Sequence, residues 1–172
     1  MRKFFSQGLM AIAGLVSLPL GITPGIGSGH TMRVPPPDYR QDPRFHSLRS
    51  FFQKFGCPAW EYAHVFLEAA DDYSLDWRLL PSLSMVETGG GKGTRNNNLF
   101  GWNCGRTSFR SPKESIHTIA AKLSQSKLYK GKDTNGILKA YNTNPRYGLR
   151  VKAVMETIGS ADPAAVAVAA VN

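Results

Sequence analysis

One carboxylate in this 172-residue chain is placed to donate a proton to a bound molecule. Glu87 follows an apolar segment with helical spacing, and Thr88 and the three glycines Gly89 to Gly91 come directly after it. At the end of a helix, the negative end of the macrodipole disfavours ionisation, and partial burial would disfavour it further. A carboxyl group that stays protonated near neutral pH can act as a general acid. Because a glutamate at a helix end is more often a solvated surface residue, the surrounding sequence has to decide its role.

The segment that follows Glu87 is rich in residues that favour turns. Residues 89–111 contain six glycines and the consecutive asparagines Asn96 to Asn98, which is too much turn chemistry for a regular element. We therefore predict that this segment forms one wall of a cleft next to Glu87. A short hairpin around Phe100 to Phe109 is the most β structure that it allows.

Residues 84–103, SMVETGGGKGTRNNNLFGWN, resemble the catalytic signature of the bacterial endo-β-N-acetylglucosaminidases, lysozyme-like domains that cut peptidoglycan. Two later segments are similar to that family in the same order. One is Phe109 to Ile116, which leads into a helix, and the other is the block Tyr141 to Tyr147, although Asn144 stands where the family often has aspartate. The resemblance covers roughly Cys57 to Gly159.

The resemblance implies roles for seven residues. Glu87 protonates the glycosidic oxygen as the bond breaks, and Tyr147 lines the cleft opposite it as the second catalytic candidate. The implied substrate-binding residues are Asn98, Phe100, Gly101, Trp102 and Tyr141. Each has a plainer alternative, because asparagine also forms turns, tryptophan is often buried in small helical domains, and tyrosines pack helices.

A second carboxylate is not evident in the sequence. Glycosidases with two carboxylates place a base or nucleophile close to the acid, and family members often carry it after the Asn-Leu-Phe-Gly turn. Here Trp102 to Ser111 contains no Asp or Glu. Glu114 fits a capping box with Ser111, and Asp133 lies in a Lys/Gly loop. We therefore expect the N-acetyl group of the substrate, or a water positioned by tyrosine, to replace the second acid.

Helix signals account for most of the remaining chain. Asp42-Pro43 predicts the start of a first helix, which runs to Gly56. Apolar spacing predicts a second helix from Pro58 to Tyr73 and a third helix that Asp76 caps and Glu87 ends. Three more helices follow: the fourth starts at Ser111-Pro112, Thr134 caps a shorter fifth, and the apolar face of the sixth begins at Tyr147 and ends at Gly159. The predicted fold class is mainly α, and by resemblance a lysozyme-like helical domain with at most a small, reduced β-hairpin lobe.

Both ends of the chain differ from this domain in composition. Arg2 and Lys3 precede an apolar run from Gly8 to Ile22 that is short and interrupted by Gly and Pro, which is typical of a secretory signal peptide. We predict a signal peptide over 1–29, a Pro-rich linker over 30–41, the domain over 42–159 and a flexible tail over 160–172. The protein would then be secreted or periplasmic, or membrane-anchored if the leader is not cleaved.

The net charge limits the classes of binding partner, and the cysteine content bears on a possible disulfide. The formal net charge of +9 becomes +7 without residues 1–29, and an exported basic protein meets anionic cell-wall polymers before nucleic acid. We predict a monomer that binds peptidoglycan or a related N-acetylglucosamine-containing glycan, with no nucleic-acid partner and no cofactor. The histidine and cysteine spacings do not suggest a metal site. Oxidation outside the cell favours a Cys57–Cys104 disulfide, with two buried free thiols as the alternative.

Three functions remain open from the sequence. The leading one is an exported hydrolase that cuts the β-1,4 bond after N-acetylglucosamine. A lytic transglycosylase, which leaves an anhydro product without attack by water, is the nearest rival. A glycan-binding module that keeps the cleft without effective chemistry is the third.

Overall fold

A computed structural model describes residues 37–159 of the chain. Within that range there are six α-helices and no strand. The helices are α1 (Pro43–Lys54), α2 (Ala63–Asp72), α3 (Leu79–Thr88), α4 (Pro112–Gln125), α5 (Thr134–Tyr141) and α6 (Pro145–Gly159), with a 3₁₀ helix, Pro58–Tyr62, before α2. The mainly α prediction is confirmed, and the segment Phe100 to Phe109 consists of turns without a hairpin. The predicted signal peptide, most of the linker and the tail lie outside the described residues.

Three helices, α1, α4 and α5, begin where a side chain accepts a hydrogen bond from one of the first free amide groups, whereas α2 and α3 begin without a side-chain cap. Asp76, the predicted cap of α3, accepts instead from Arg78 N at 2.9 Å, one residue before that helix begins. Asp42 accepts from Arg44 N at 2.8 Å at the start of α1. Ser111 accepts from Glu114 N at 3.1 Å at the start of α4. For α5 the predicted cap is wrong, because Asp133, and not Thr134, accepts from the amide of the third helical residue at 2.8 Å. A carboxylate at this position also complements the positive end of the helix dipole.

The second predicted helix is divided at its start. Pro58–Tyr62 forms a 3₁₀ turn, and the amide of Ala59, which has no partner within the helix, donates to Gly90 O at 3.0 Å. This bond ties the start of the 3₁₀ helix to the glycine turn that ends α3. The regular hydrogen-bond ladder of α2 begins at Ala63.

A single apolar core joins the helices and holds α3 at its centre. Leu80 and Leu83 of α3 are fully buried, as are Phe52 of α1, Phe66 of α2 and Val151 of α6. α3 packs against α6 along its length. The two run antiparallel, because the start of α3 at Arg78 lies beside Gly159 at the end of α6, whereas Glu87 near the end of α3 lies beside Tyr147 in the first turn of α6. The core thereby fixes the distance between two residues that are far apart in sequence.

The predicted disulfide is wrong, since both cysteines are free. Cys57 is fully buried, and its thiol contacts the Phe55 carbonyl at 3.5 Å and the Met85 sulfur at 3.7 Å. Burial raises the pKa of the Cys57 thiol, an effect that Lys92 partly offsets. Cys104 is exposed in the turn after Trp102. One thiol faces the core and the other faces solvent, so the pair does not meet.

Across residues 37–159 no helix combines the length and the apolar character that a membrane crossing requires.

Candidate active site

The end of α3 is fixed to the turn that forms the opposite wall of the cleft. Gly89 adopts the left-handed conformation with φ of 63°, and its amide donates to Met85 O. The Thr88 hydroxyl donates to Leu99 O at 2.7 Å and accepts from Gly91 N at 3.2 Å. Because one side chain bonds both the glycine turn and the Asn-Leu-Phe-Gly turn, Glu87 is held at a fixed position beside both of them.

Glu87 projects from this helix end into the cleft. Its side chain is exposed, so the partial burial expected from the sequence is absent. Gly101 approaches it closely, since a Cβ atom at Gly101 would lie 3.9 Å from Glu87 Oε2. A residue with a longer side chain at position 101 would fill the space in front of the carboxylate, and the backbone φ of 57° there also favours glycine.

Tyr147 is the direct partner of Glu87. Its hydroxyl donates to Glu87 Oε1 at 2.6 Å, a length typical of a charge-assisted hydrogen bond. The rest of its side chain is buried beneath the cleft. Burial first, and then the hydrogen bond to Glu87, raise the pKa of Tyr147 above its ordinary value. The hydroxyl therefore stays protonated and acts as a donor that orients the carboxylate.

Two more aromatic rings continue this wall. Tyr141 stacks on Tyr147 with ring centroids 5.7 Å apart and planes inclined by 11°. Trp102 meets Tyr141 edge to face at 6.0 Å. Burial, followed by the charge of Glu87, raises the pKa of Tyr141 as well. The three rings form a row that starts at the carboxylate. Two of them, Tyr141 and Trp102, line the cleft with aromatic surface, the kind of surface on which a sugar ring packs.

Asn98 supports the cleft from behind. It is 1% exposed, and its amide group donates to the carbonyls of Trp102 and Thr107 and accepts from Trp102 N. These bonds use both the donor and the acceptor side of the amide. The geometry gives Asn98 the role of shaping the loop that carries Trp102, which is the turn-forming alternative considered from the sequence.

The cleft has a volume of about 520 Å³. Of the residues predicted from the sequence, Glu87, Phe100, Gly101, Trp102 and Tyr141 line it, while Tyr147 lies beneath and reaches it through its bond to Glu87. Four lining residues were not predicted: Asn103, Thr107, Tyr129 and Asn142. Two of these four residues lay in or beside a motif that the sequence analysis had identified: Asn142 is inside the Tyr141 to Tyr147 block, and Asn103 follows Trp102. Tyr129 comes from the loop after α4, to which no sequence signal pointed.

Glu87 is the only carboxylate among the described residues that line this cleft. The Ser111 half of the capping box forms, but Glu114 accepts from Arg110 N at 2.6 Å, one residue before the N-cap, and pairs with the Arg110 side chain. Glu114 thus holds the start of α4, although not through the Ser111 amide that a capping box uses. Asp133 caps α5. Both acids that the sequence offered as second catalytic groups therefore serve helix ends.

The site thus combines a single carboxylate, a tyrosine donor and an aromatic wall in an open cleft. A family model described as Mannosyl-glycoprotein endo-beta-N-acetylglucosaminidase matches residues 63–160, more than half of the chain, and the chain belongs to this family. The match includes Glu87 and the whole aromatic row. Membership supports a glycosidase-type enzyme with a glycan substrate such as peptidoglycan. Among curated proteins, none matches the chain.

Proposed function

We propose that the protein cleaves the β-1,4 glycosidic bond after N-acetylglucosamine in peptidoglycan, with Glu87 as the general acid. The observation that carries this proposal is the 2.6 Å hydrogen bond from Tyr147 to Glu87 at the floor of a cleft with an aromatic wall. The family match supports the substrate class. In the reaction, Glu87 gives its proton to the glycosidic oxygen as the bond to the sugar breaks.

Tyr147 has two tasks in this proposal. Before the reaction its hydroxyl holds one carboxyl oxygen, which leaves Oε2 beside Gly101 free to face the glycosidic oxygen. After the proton has left, the same hydrogen bond stabilises the carboxylate. The positive charge that develops on the sugar is met by the N-acetyl oxygen of the substrate or by a water molecule, in place of a second carboxylate.

We further propose that the protein acts outside the cytoplasm as a monomer on an anionic cell-wall surface. The distribution of charge supports this location. Residues 88–159, which provide every cleft-lining residue except Glu87, contain thirteen Lys and Arg but only three Asp and Glu, whereas residues 37–87 contain five and eight. Basic side chains near a cleft raise the local concentration of an anionic polymer.

The first test is Glu87→Gln. This change removes the transferable proton at nearly constant shape, so cleavage should fall by at least about a hundredfold while the fold and the binding to isolated cell walls persist. Digests of purified peptidoglycan are followed by mass spectrometry, and circular dichroism checks the fold. A loss of less than about tenfold would exclude Glu87 as the general acid.

The same digests separate two rival functions that the single carboxylate in the cleft favours. A hydrolase gives reducing ends at N-acetylglucosamine. A lytic transglycosylase gives anhydro ends, because a hydroxyl of the sugar replaces water as the attacking group. A glycan-binding module gives no new ends, yet it binds cell walls in wild-type and Glu87→Gln form alike.

A further inference from the structure

Lys122 occupies the outer end of the aromatic row. It lies in the last turn of α4, and its ammonium group is 5.7 Å from the centre of the Trp102 ring. A cation at this distance over an indole face is held by the ring quadrupole without losing its water-exposed side. The order along the cleft is therefore Glu87, Tyr147, Tyr141, Trp102 and then a positive charge.

No carboxylate of the described residues pairs with Lys122. Two acids of α2, the helix that packs against α4, have other partners, since Glu68 pairs with Lys113 at 2.9 Å and Asp72 lies 3.9 Å from His117. Lys122 itself is exposed. Its positive charge is thus available to a ligand that rests on Trp102.

Lys122 also lines a second groove, which runs along α4. This groove has a volume of about 500 Å³, and its lining residues are Tyr73, His117, Thr118, Ala121, Lys122, Gln125 and Ser126. All of them except Ala121 carry a hydrogen-bonding group on the side chain. Because Lys122 contacts Trp102 and also lines this groove, it lies between the cleft and the groove along α4.

We propose that Lys122 is a specificity-determining residue that binds a carboxylate carried by the glycan, and that the groove along α4 holds the substituent bearing it. This inference rests on the proposed function for the identity of the glycan. A sugar stacked on Trp102 would bring an acidic side branch within reach of the ammonium group, whereas an unsubstituted neutral glycan has nothing for Lys122 to bind. Two sources share this chemistry: the lactyl carboxylate of the sugar, and the carboxylates of an attached peptide.

Binding measurements by calorimetry in the Glu87→Gln background test the inference without turnover. The ligands are a neutral N-acetylglucosamine tetrasaccharide, a peptidoglycan tetrasaccharide with its peptides, and the same tetrasaccharide after an amidase has removed them. Lys122→Met should weaken binding of at least one of the two acidic ligands roughly tenfold and leave the neutral one unchanged, while Lys122→Arg should keep most of the affinity. The loss should shrink at high salt.

The matched control is Lys127→Met, because Lys127 is also exposed, follows the same helix and lines neither groove. It should bind all three ligands as the parent does. The lactyl carboxylate is an amide while the peptide is attached and becomes free only after the amidase treatment. A Lys122→Met effect on the amidase-treated ligand alone therefore identifies the lactyl carboxylate, and an effect on the peptide-bearing ligand alone identifies the peptide. An effect on both shows that Lys122 binds either carboxylate.

Equal weakening for all three ligands, no weakening for any, or undetectable binding throughout would overturn the inference. A role for Lys122 confined to the negative end of the α4 dipole would change the free energy of unfolding without changing ligand preference. If Glu87→Gln still cleaves peptidoglycan while Lys122→Met discriminates as expected, the catalytic assignment fails and the specificity assignment stands.

Discussion

At the scale of single residues, the proposed proton transfer from Glu87 depends on one hydrogen bond, the bond that Tyr147 donates. Glu87 is exposed, so its orientation is not fixed by surrounding protein on all sides. The buried Tyr147 ring provides a rigid point from which the hydroxyl holds Oε1. A flexible acid with one fixed oxygen presents the other oxygen to substrate in a restricted set of directions, which is the geometric condition for efficient proton transfer.

Tyr147→Phe tests this view. The change removes a hydroxyl and keeps the ring, so the packing under the cleft and its stacking on Tyr141 should persist. We expect turnover to fall about tenfold to a hundredfold, with KM little changed and a loss of about 1 kcal/mol or less in the free energy of unfolding. Steady-state kinetics on peptidoglycan and urea denaturation measure the two effects.

Asp133→Asn is the control for that experiment. Asparagine caps helices about as well as aspartate, so α5 should remain intact and activity should stay near that of the wild type. If Asp133→Asn lost its activity while Tyr147→Phe kept it, a loop acid would be the catalytic base and the mechanism with one protein carboxylate would be wrong.

The role of a motif residue can be predicted from its residue type in some cases and not in others. A glutamate at a helix end is more often a solvated surface residue, and Glu87 indicates a catalytic acid only together with the glycine turn and the Asn-Leu-Phe-Gly turn that follow it. An asparagine before Leu-Phe-Gly does not distinguish a sugar contact from a loop support, since both use the same amide group, and the bonds of Asn98 to Trp102 and Thr107 decide it only in three dimensions. The two cysteines likewise gave no indication that one faces the core.

At the scale of elements, the glycine turn after α3 connects the catalytic helix to the 3₁₀ helix. Gly89 and Gly90 have nearly the same backbone conformation, with φ of 63° and 61°. Their surroundings differ. A Cβ at Gly90 would lie 2.7 Å from Cys57 Cβ and 2.9 Å from its sulfur, whereas a Cβ at Gly89 meets nothing closer than Lys92 at 3.7 Å. A substitution at Gly89 therefore introduces backbone strain alone, whereas a substitution at Gly90 introduces the same strain together with a steric clash.

Gly89→Ala and Gly90→Ala should therefore destabilise the protein unequally. The first adds only the strain of a left-handed alanine, about 1 to 2 kcal/mol. The second adds the displacement of Cys57 from a fully packed site, for a total of about 2 to 5 kcal/mol. Urea denaturation of both variants measures the difference. Equal losses would mean that the turn relaxes freely around Cys57.

Element boundaries were predictable where a local signal sets them. Asp42-Pro43 and Ser111-Pro112 mark the starts of α1 and α4 because capping depends on residues that are neighbours in sequence. The 3₁₀ turn at Pro58–Tyr62 was missed, and so was its contact with the carbonyl of Gly90, which lies far along the chain. The same limit applies to Tyr129, which lines the cleft beside residues that are distant in sequence.

At the scale of the whole molecule, the antiparallel packing of α3 and α6 brings Glu87 and Tyr147 together across 60 positions of sequence. The sequence predicted both residues, and the family resemblance predicted that they face each other. The residue pattern within each helix does not determine the distance between Glu87 and Tyr147 in the folded protein. It is set by the buried residues of the two helices, among them Leu83 and Val151, which must pack without voids for the hydrogen bond to form.

Because this packing buries tyrosine side chains, the domain should become less stable as the pH rises into the alkaline range. Burial raises the pKa of Tyr129, Tyr141 and Tyr147 above the ordinary value near 10, and Glu87 raises the last two further. Above about pH 10 the unfolded chain releases these protons, whereas the folded protein keeps them. Because the unfolded state then binds fewer protons than the native state, the free energy of unfolding falls as pH rises.

Comparison of wild type with Tyr147→Phe isolates one of these groups. Below about pH 10 the two stability curves should run parallel, since tyrosine 147 is protonated in both the folded and the unfolded chain. Above it the wild-type curve should fall more steeply, by up to about 1.4 kcal/mol per pH unit for the one proton retained. Urea denaturation at closely spaced pH values from 8 to 11 gives both slopes. Curves that stay parallel through pH 11 would show that Tyr147 ionises as readily in the folded protein as in the unfolded chain, and that its bond to Glu87 does not hold the proton in place.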